Sequence, residues 1–397
     1  LAVIDGKGVG AGTRDLAHAE VTSAGDVCGK LAAVLTLIDR FDEARAVALD
    51  GLARTPVEDT LRAARFHLLL ALIEFQDNRL HAEAEALEAA EKLVGPCGLD
   101  DDQERVDVWL GVQLGKVGFR RRGNELERAA SVLASVRPLV DARGNARAVA
   151  GFYRLLAMQH ILERRYRIDA GVVEELRRAA NAVQAVEGTR WDLGNPETVR
   201  FSSMLELGTA LTWYGDLAEA RRVHNQVLAA VERAGTANGR GVALTELAVT
   251  AWRHGDLELV RELVARARRA AVAGANLHFV TAATAALEAW VAWRDERPEQ
   301  VIALGTEALD LWSSQLKTYP FRCVALFPLA AAYLDLGQIE RAVDAARQTL
   351  EPTQVRLPDE LEAAVQAACD AWDDREPDKA SRLVGEAVAL AGELRYA

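Results

Sequence analysis

Residues 201–231 read FSSMLELGTALTWYGDLAEARRVHNQVLAAV, and this stretch decides the fold. Met204, Leu205, Leu207, Leu211 and Trp213 fall three and four apart, as do Leu217, Ala220, Val223, Val227 and Leu228. Each set lies on one stripe of a helix, and Gly215-Asp216 between them is a tight turn. Two amphipathic helices back to back cannot hide both stripes. The pair requires neighbours of its own kind.

The downstream sequence supplies them. Gly215-Asp216-Leu217 recurs as Gly255-Asp256-Leu257, loosely as Glu296-Arg297-Pro298, and as Gly337-Gln338-Ile339. Five residues after each turn begins comes a small or β-branched residue: Ala220, Val260, Val301, Ala342 and, in a last unit, Ala380, at steps of 40, 41, 41 and 38. A fixed period of this length marks a solenoid whose units bury their stripes on one another. Upstream the pattern is looser. Leu31, Val34, Leu35 and Ile38 stripe the first helix of a unit, with Phe41, Ala44, Val47 and Leu49 in the second. Further units run over 61–94, 103–140 (turning at Gly123-Asn124) and 146–186. Arg120, Arg121 and Arg122 close a helix, where cations suit the negative end of its dipole. The stretch EGTRWDLGNPET, 187–198, breaks the period and reads as a loop, with Thr198 or Asn195 capping the next helix. The organisation expected is a glycine-rich lead-in over 1–24, about four units over 25–188, a loop over 189–200 and about five units over 201–397.

Of the 397 residues, half are hydrophobic but only 6% are aromatic, and the formal net charge is −12. Such an acidic chain repels phosphate backbones, so no direct nucleic-acid binding is expected. None of the four cysteines (Cys28, Cys97, Cys323 and Cys369) stands in a C-x-x-C pair, which reads as reduced thiols in a cytoplasmic protein. No apolar run is long enough to span a membrane, and no signal peptide is read.

The repeated residues resemble the tetratricopeptide repeat. Leu207-Gly208, Gly215 and Ala220 match its spacing, as do Leu329, Tyr333, Gly337 and Ala342, and Leu31, Ala44 and Pro56. Leu211 stands where an aromatic is usual and His224 where Phe is common. These units exceed the family's 34 residues and resemble the long-repeat arms of bacterial signalling proteins: ATPase transcription regulators and diguanylate cyclases. The resemblance implies an all-α, right-handed α-α superhelix. The first helix of each pair would line a concave face and the second the outside.

It also implies a groove. Carried over by spacing, its lining includes Thr209, Trp213, Thr245, Trp252, Arg253, Trp290, Trp293, Arg294 and Phe327. A tryptophan at such a position either faces the groove or packs between units. Trp290 and Trp293 are three apart and Trp252 lies one repeat before Trp293, so the expectation is one partly exposed patch of Trp252, Arg253, Trp290, Trp293 and Arg294. Both arginines are expected to face water, since a buried unpaired guanidinium is costly. Indoles for area and arginines for register suit a peptide or partner protein.

No catalytic constellation, metal site or cofactor is expected. Gly6–Gly12 lacks the Ser or Thr that must follow the lysine of a phosphate loop, and none of the seven histidines has metal-ligand spacing. Asp100-Asp101-Asp102 reads as the start of a helix. The function expected is a non-catalytic interaction scaffold. The alternative is the sensory arm of a larger signalling protein whose effector domain lies outside these residues.

Overall fold

The computed structural model describes residues 24–37, 40–77, 79–185, 196–234, 237–270, 277–313 and 319–397. The glycine-rich lead-in, the Gly6–Gly12 reading, Asn195 and most of the 189–200 loop lie outside them. Among the described residues there are eighteen helices and no strand. They follow as pairs: α1 Ala24–Leu37 and α2 Phe41–Ala53; α3 Thr60–Gln76 and α4 Leu80–Val94; α5 Gln103–Arg122 and α6 Leu126–Arg143; α7 Ala146–Glu163 and α8 Ala170–Gln184; α9 Pro196–Tyr214 and α10 Leu217–Ala234; α11 Ala237–His254 and α12 Leu257–Ala270; α13 Leu277–Arg294 and α14 Pro298–Ser313; α15 Cys323–Asp335 and α16 Ile339–Gln348; α17 Asp359–Asp373 and α18 Pro377–Glu393.

Each helix packs on its sequence neighbours, and the first helices also pack on one another: α1 on α3, α3 on α5, α5 on α7, α9 on α11, α11 on α13 and α13 on α15. They form the inner layer of an all-α solenoid. The last pair departs from this rule. It is α18, its second helix, that rests on α15 and α16.

The turns explain the period. Gly215, Gly255, Glu296, Gly337 and Arg375 each have positive φ, from 58° to 107°. Each precedes by five the small residue of its second helix, and Ala220, Val260, Val301, Ala342 and Ala380 are all completely buried. In four of these turns a backbone N–H reaches back five residues, as from Asp256 to the Ala251 carbonyl and from Gln338 to Tyr333, which closes the first helix's open carbonyls. The upstream pairs use the same bond without a glycine at the left-handed position: Arg40 to Leu35, Arg79 to Glu74, Glu125 to Arg120 and Tyr166 to Ile161. There Asn124, Arg165 and Tyr166 hold the left-handed conformation. The turn is the same, but its sequence mark is gone.

Two local expectations are corrected. Helix α9 begins at Pro196, so the end of the segment read as a loop is helical and Thr198 lies inside the helix, not at its cap. Proline suits a first helical position, because its missing N–H would have no partner there anyway. In α1, Leu31 and Val34 are exposed, while Ala32 and Leu35 are buried. Elsewhere the acidic triplet starts a helix as expected, with the Asp102 carboxylate accepting the Glu104 N–H at the N-terminus of α5.

Candidate functional site

The inner face of the C-terminal pairs carries the residues read as a groove, and most of them are buried. Trp252 is 2% exposed, Trp290 3%, Trp213 7% and Arg253 7%; Thr245 and Phe327 are wholly inside. Thr245 spends its hydroxyl on the Gly241 carbonyl one turn back, at 2.9 Å. Thr209 is half-buried and donates to Glu246 at 2.9 Å. Only Trp293, half-buried, and Arg294, exposed, meet the expectation of a partly open patch. Trp252 and Trp290 join the hydrophobic core instead. A shared helix face did not give shared exposure, because the inner helices are packed from the sides and also covered from the concave side.

The cover is the chain itself. Phe321 stacks on Trp213 at 4.0 Å and 13° between planes, and Tyr166 meets Phe321 edge-on at 6.0 Å. Tyr319 stacks on Trp312 at 4.5 Å and touches Phe279. Tyr396 approaches Trp213 at 6.1 Å, and the Arg253 guanidinium lies against both rings, 5.1 Å from the indole and 4.6 Å from the phenol. Arg253 Nη1 donates to the Arg395 carbonyl at 2.5 Å. Arg253 was expected to face water. It is buried because two aromatic faces and a carbonyl replace much of its hydration, although burial still holds its pKa below the usual arginine range. A second set of bonds pins the covering segments. Val355 N–H donates to the Pro320 carbonyl, Arg356 N–H to the Arg165 carbonyl, and Arg165 Nη1 to Glu362 at 3.3 Å, so the α7–α8 turn meets the α16–α17 loop across 197 positions of sequence.

Beneath this cover runs a buried polar line that sequence reading missed. Thr212 and Thr250 hydroxyls lie 2.8 Å apart, and Thr250 meets His224 Nδ1 at 3.1 Å. His224 fits because Gly208 faces it: a Cβ there would lie 2.3 Å from Nε2. This accounts for His224 standing where Phe is common: Gly208, which matches the repeat pattern, leaves room for the ring. Burial pushes the His224 pKa down to about 4, so the ring is neutral. Burial pushes Glu246 up to about 7 against the pull of its Thr209 hydrogen bond. Burial also pushes the Cys323 thiol up to about 12, which leaves it unreactive. Among the described residues no cluster of His, Cys, Asp or Glu could hold a metal, and no helix is long and apolar enough to cross a membrane.

The inner face of the N-terminal pairs is different. Between α3, α5 and α7 lies a half-open cavity of about 340 Å³. Its floor is α5 at Gly111, Gly115 and Gly118; its apolar wall includes Leu68, Leu72, Phe75 and Leu155; Arg121, Arg122, Arg147 and Arg154 surround it. Arg122 pairs with Glu83 and lies 4.3 Å over the Phe75 ring. Arg154 pairs with Glu206 at 2.9 Å. Arg121 Nη1 is fully buried and has no hydrogen-bond partner among the described residues. The arginine run was read as a helix-end feature; the structure turns two of its three members into the cavity. The legible signal was the spacing of four and three that sets Gly111, Gly115 and Gly118 on one face of α5.

No family model and no curated protein matches the chain. Solved structures do. A Rap protein complexed with competence and sporulation factor matches with a TM-score of 0.55 at 10% identity, covering 93% of this chain and 98% of its own. The apo form of the quorum sensor NprR from B. thuringiensis matches with 0.53 at 12%, covering 84% and 99%. A Signal Transduction ATPase with Numerous Domains from Pyrococcus horikoshii, with a tetratricopeptide repeat sensor, matches with 0.50 at 14%; it covers 91% of this chain, which spans 50% of that protein. At these identities the likeness is one of fold. The fold is the tetratricopeptide-type helical repeat that the sequence resembles.

Proposed function

We propose that the chain is a non-catalytic, cytoplasmic interaction scaffold that holds a peptide or partner protein against its inner face. One observation carries this. The C-terminal inner face already holds two irregular segments, at Tyr319–Arg322 and Arg395–Tyr396, by ring stacking and an arginine set against two rings. Stacked rings and a desolvated guanidinium are the chemistry by which interfaces anchor a partner. A partner would begin at the residues still open, Thr209, Trp293 and Arg294, and reach Trp213, Trp252 and Arg253 by taking the place of Tyr396. That a Rap protein of this shape was solved with competence and sporulation factor supports the reading. Neither nucleic acid nor a membrane is part of it, given the net charge of −12.

Site-specific photo-crosslinking tests this in cells that express the chain. A crosslinker at Arg294 should capture a defined protein that a crosslinker at the exposed Glu262 of α12 does not, and Trp293→Ala should abolish the capture. Equal capture at both positions overturns the proposal.

The second reading is a sensory arm of a larger signalling protein. It is favoured by the likeness to a repeat sensor that forms half of its own chain. An ATPase, helix-turn-helix or cyclase domain in the same open reading frame would decide for it.

A further inference from the structure

The cavity between α3, α5 and α7 contains two features that packing does not explain. The first is Gly118. Glycine is a poor residue for a helix interior, and where a neighbour needs the space the choice is understood. Gly115 is such a case, since a Cβ there would lie 2.8 Å from Leu87 Cδ2. At Gly118 a Cβ would meet nothing within 4 Å. What the glycine leaves is bare helix backbone, a flat surface facing the cavity. The second feature is Arg121, one turn further along the same face. Its Nη1 is fully buried without a hydrogen-bond partner among the described residues, beside the like charges of Arg154 and Arg122 and within the field of a single carboxylate, Glu206, which is already paired with Arg154.

The other charges do not resolve this. Arg122 is engaged by Glu83 and Arg154 by Glu206. The cavity gathers four guanidinium groups against the carboxylates of Glu83 and Asp107, within a chain of net charge −12. Burial and Arg154 push the Arg121 pKa down to about 10 against the pull of Glu206, so the group stays cationic at neutral pH. A buried cation short of acceptors calls for one anionic group. At about 340 Å³ the space stands at the lower end of the roughly 300–1,000 Å³ of small-molecule pockets.

We infer that this cavity is a binding site for a small organic acid, whose flat apolar body lies on the glycine face of α5 and whose carboxylate meets the Arg121 guanidinium. A monoanion suffices, because the neighbouring arginines already have carboxylates. A flat body is selected because glycine lets a ring approach the backbone closely, while Leu68 and Leu155 close over it. The site is separate from the C-terminal inner face and stands whether or not a partner protein binds there.

Calorimetric titration of the full chain with 2-naphthoate, 2-naphthamide, decanoate and inorganic phosphate tests it. The naphthoate should bind saturably and about tenfold or more tighter than the amide, by the added charge-assisted hydrogen bond. Arg121→Gln should remove that preference while the amide's weak binding persists. Gly118→Leu, which fills open space with a better helix former, should abolish binding of both and leave the circular dichroism unchanged. Equal binding of acid and amide, equal binding of decanoate, binding of phosphate in place of naphthoate, or naphthoate binding that survives Gly118→Leu would each overturn the inference. So would absence of binding at millimolar naphthoate. Should Arg121→Gln not fold, the acid–amide comparison on the unaltered chain and the Gly118→Leu variant carry the test.

Discussion

The two halves of this solenoid share a backbone plan and differ in what covers their inner faces. In α9–α18 the inner face carries Trp213, Trp252 and Trp290, all buried, and Phe321 and Tyr396 lie against Trp213. In α3–α8 it carries glycines and arginines, and it stays open as a cavity. The difference follows from what each surface costs in water. Indoles such as Trp213 and Trp252, 6.0 Å apart, are a large apolar area, and a segment that can reach them gains by burying it. Glycine backbone and paired guanidinium groups offer far less apolar area and exert a weaker pull. The same helix-pair geometry therefore gives a self-filled face in one half and a cavity in the other.

The contrast is tested most severely at Trp252. If it is core, Trp252→Ala should cost about 3–5 kcal/mol, the range for deleting a buried large aromatic, seen as a lowered midpoint in guanidinium chloride. A loss below about 1 kcal/mol would place the indole on an open surface after all.

The buried carboxyl beneath the cover gives a pH signature. The Glu246 pKa is raised to about 7 in the folded chain. Its contribution to stability is therefore complete below the ordinary glutamate range and is lost as pH rises through about 7. Glu246→Gln removes this loss, so the variant should gain about 1–3 kcal/mol over the parent at pH 8 and little at pH 5. His224, held down to about 4, acts in the opposite sense: its contribution is complete above the ordinary histidine range and is lost as pH falls. His224→Gln should thus flatten the acid side of the stability profile. Thermal melts of both variants across pH check the pair, and parallel profiles for parent and Glu246→Gln would exclude a buried carboxyl.

Removing the cover has a smaller effect. Tyr396→Ala takes away one of the two rings around Arg253 and should cost about 1–2 kcal/mol. Trp213 should become more exposed, with tryptophan emission moving to the red. An unshifted spectrum would mean that Tyr396 does not shield the indole.

The smallest effects concern the glycines and have opposite signs. Gly118→Ala should stabilise by about 1 kcal/mol, since the helix gains propensity and the Cβ enters open space. Gly215→Ala should destabilise by about 1 kcal/mol, because φ there is +107°. Destabilisation by Gly118→Ala would mean that its space is occupied.

Legibility in the sequence tracked the source of each signal. The turns at Gly215, Gly255 and Gly337 could be read because a left-handed residue favours glycine. Their equivalents at Asn124 and Arg165 adopt the same conformation with a Cβ in place, so the upstream units read more loosely and showed no fixed period. The α1 stripe was misread for a related reason. Leu31 and Val34 satisfy helical spacing, yet they lie on a side of the first helix that no earlier unit covers in the described structure. Of the groove residues, spacing placed Thr209, Trp213, Trp252, Trp290 and Trp293 on inner helices, but it carried no information about what lies over them.

By itself, then, the sequence determined the helix pairs, the phase of the five C-terminal turns and the fully buried small residue five positions after each, because these depend on contacts within one or two turns of helix or between adjacent units. The tertiary structure alone decided which inner face is filled. Phe321 and Tyr396 reach Trp213 from more than a hundred positions away, and Arg165 reaches Glu362 across 197. Only there is Arg253 changed from a water-facing cation into one set against two rings, while Arg121, in a run of three arginines, comes to line a cavity with Gly118. Helical periodicity reports which side of a helix is apolar. What covers that side is set by long-range closure of the chain, which no local spacing encodes.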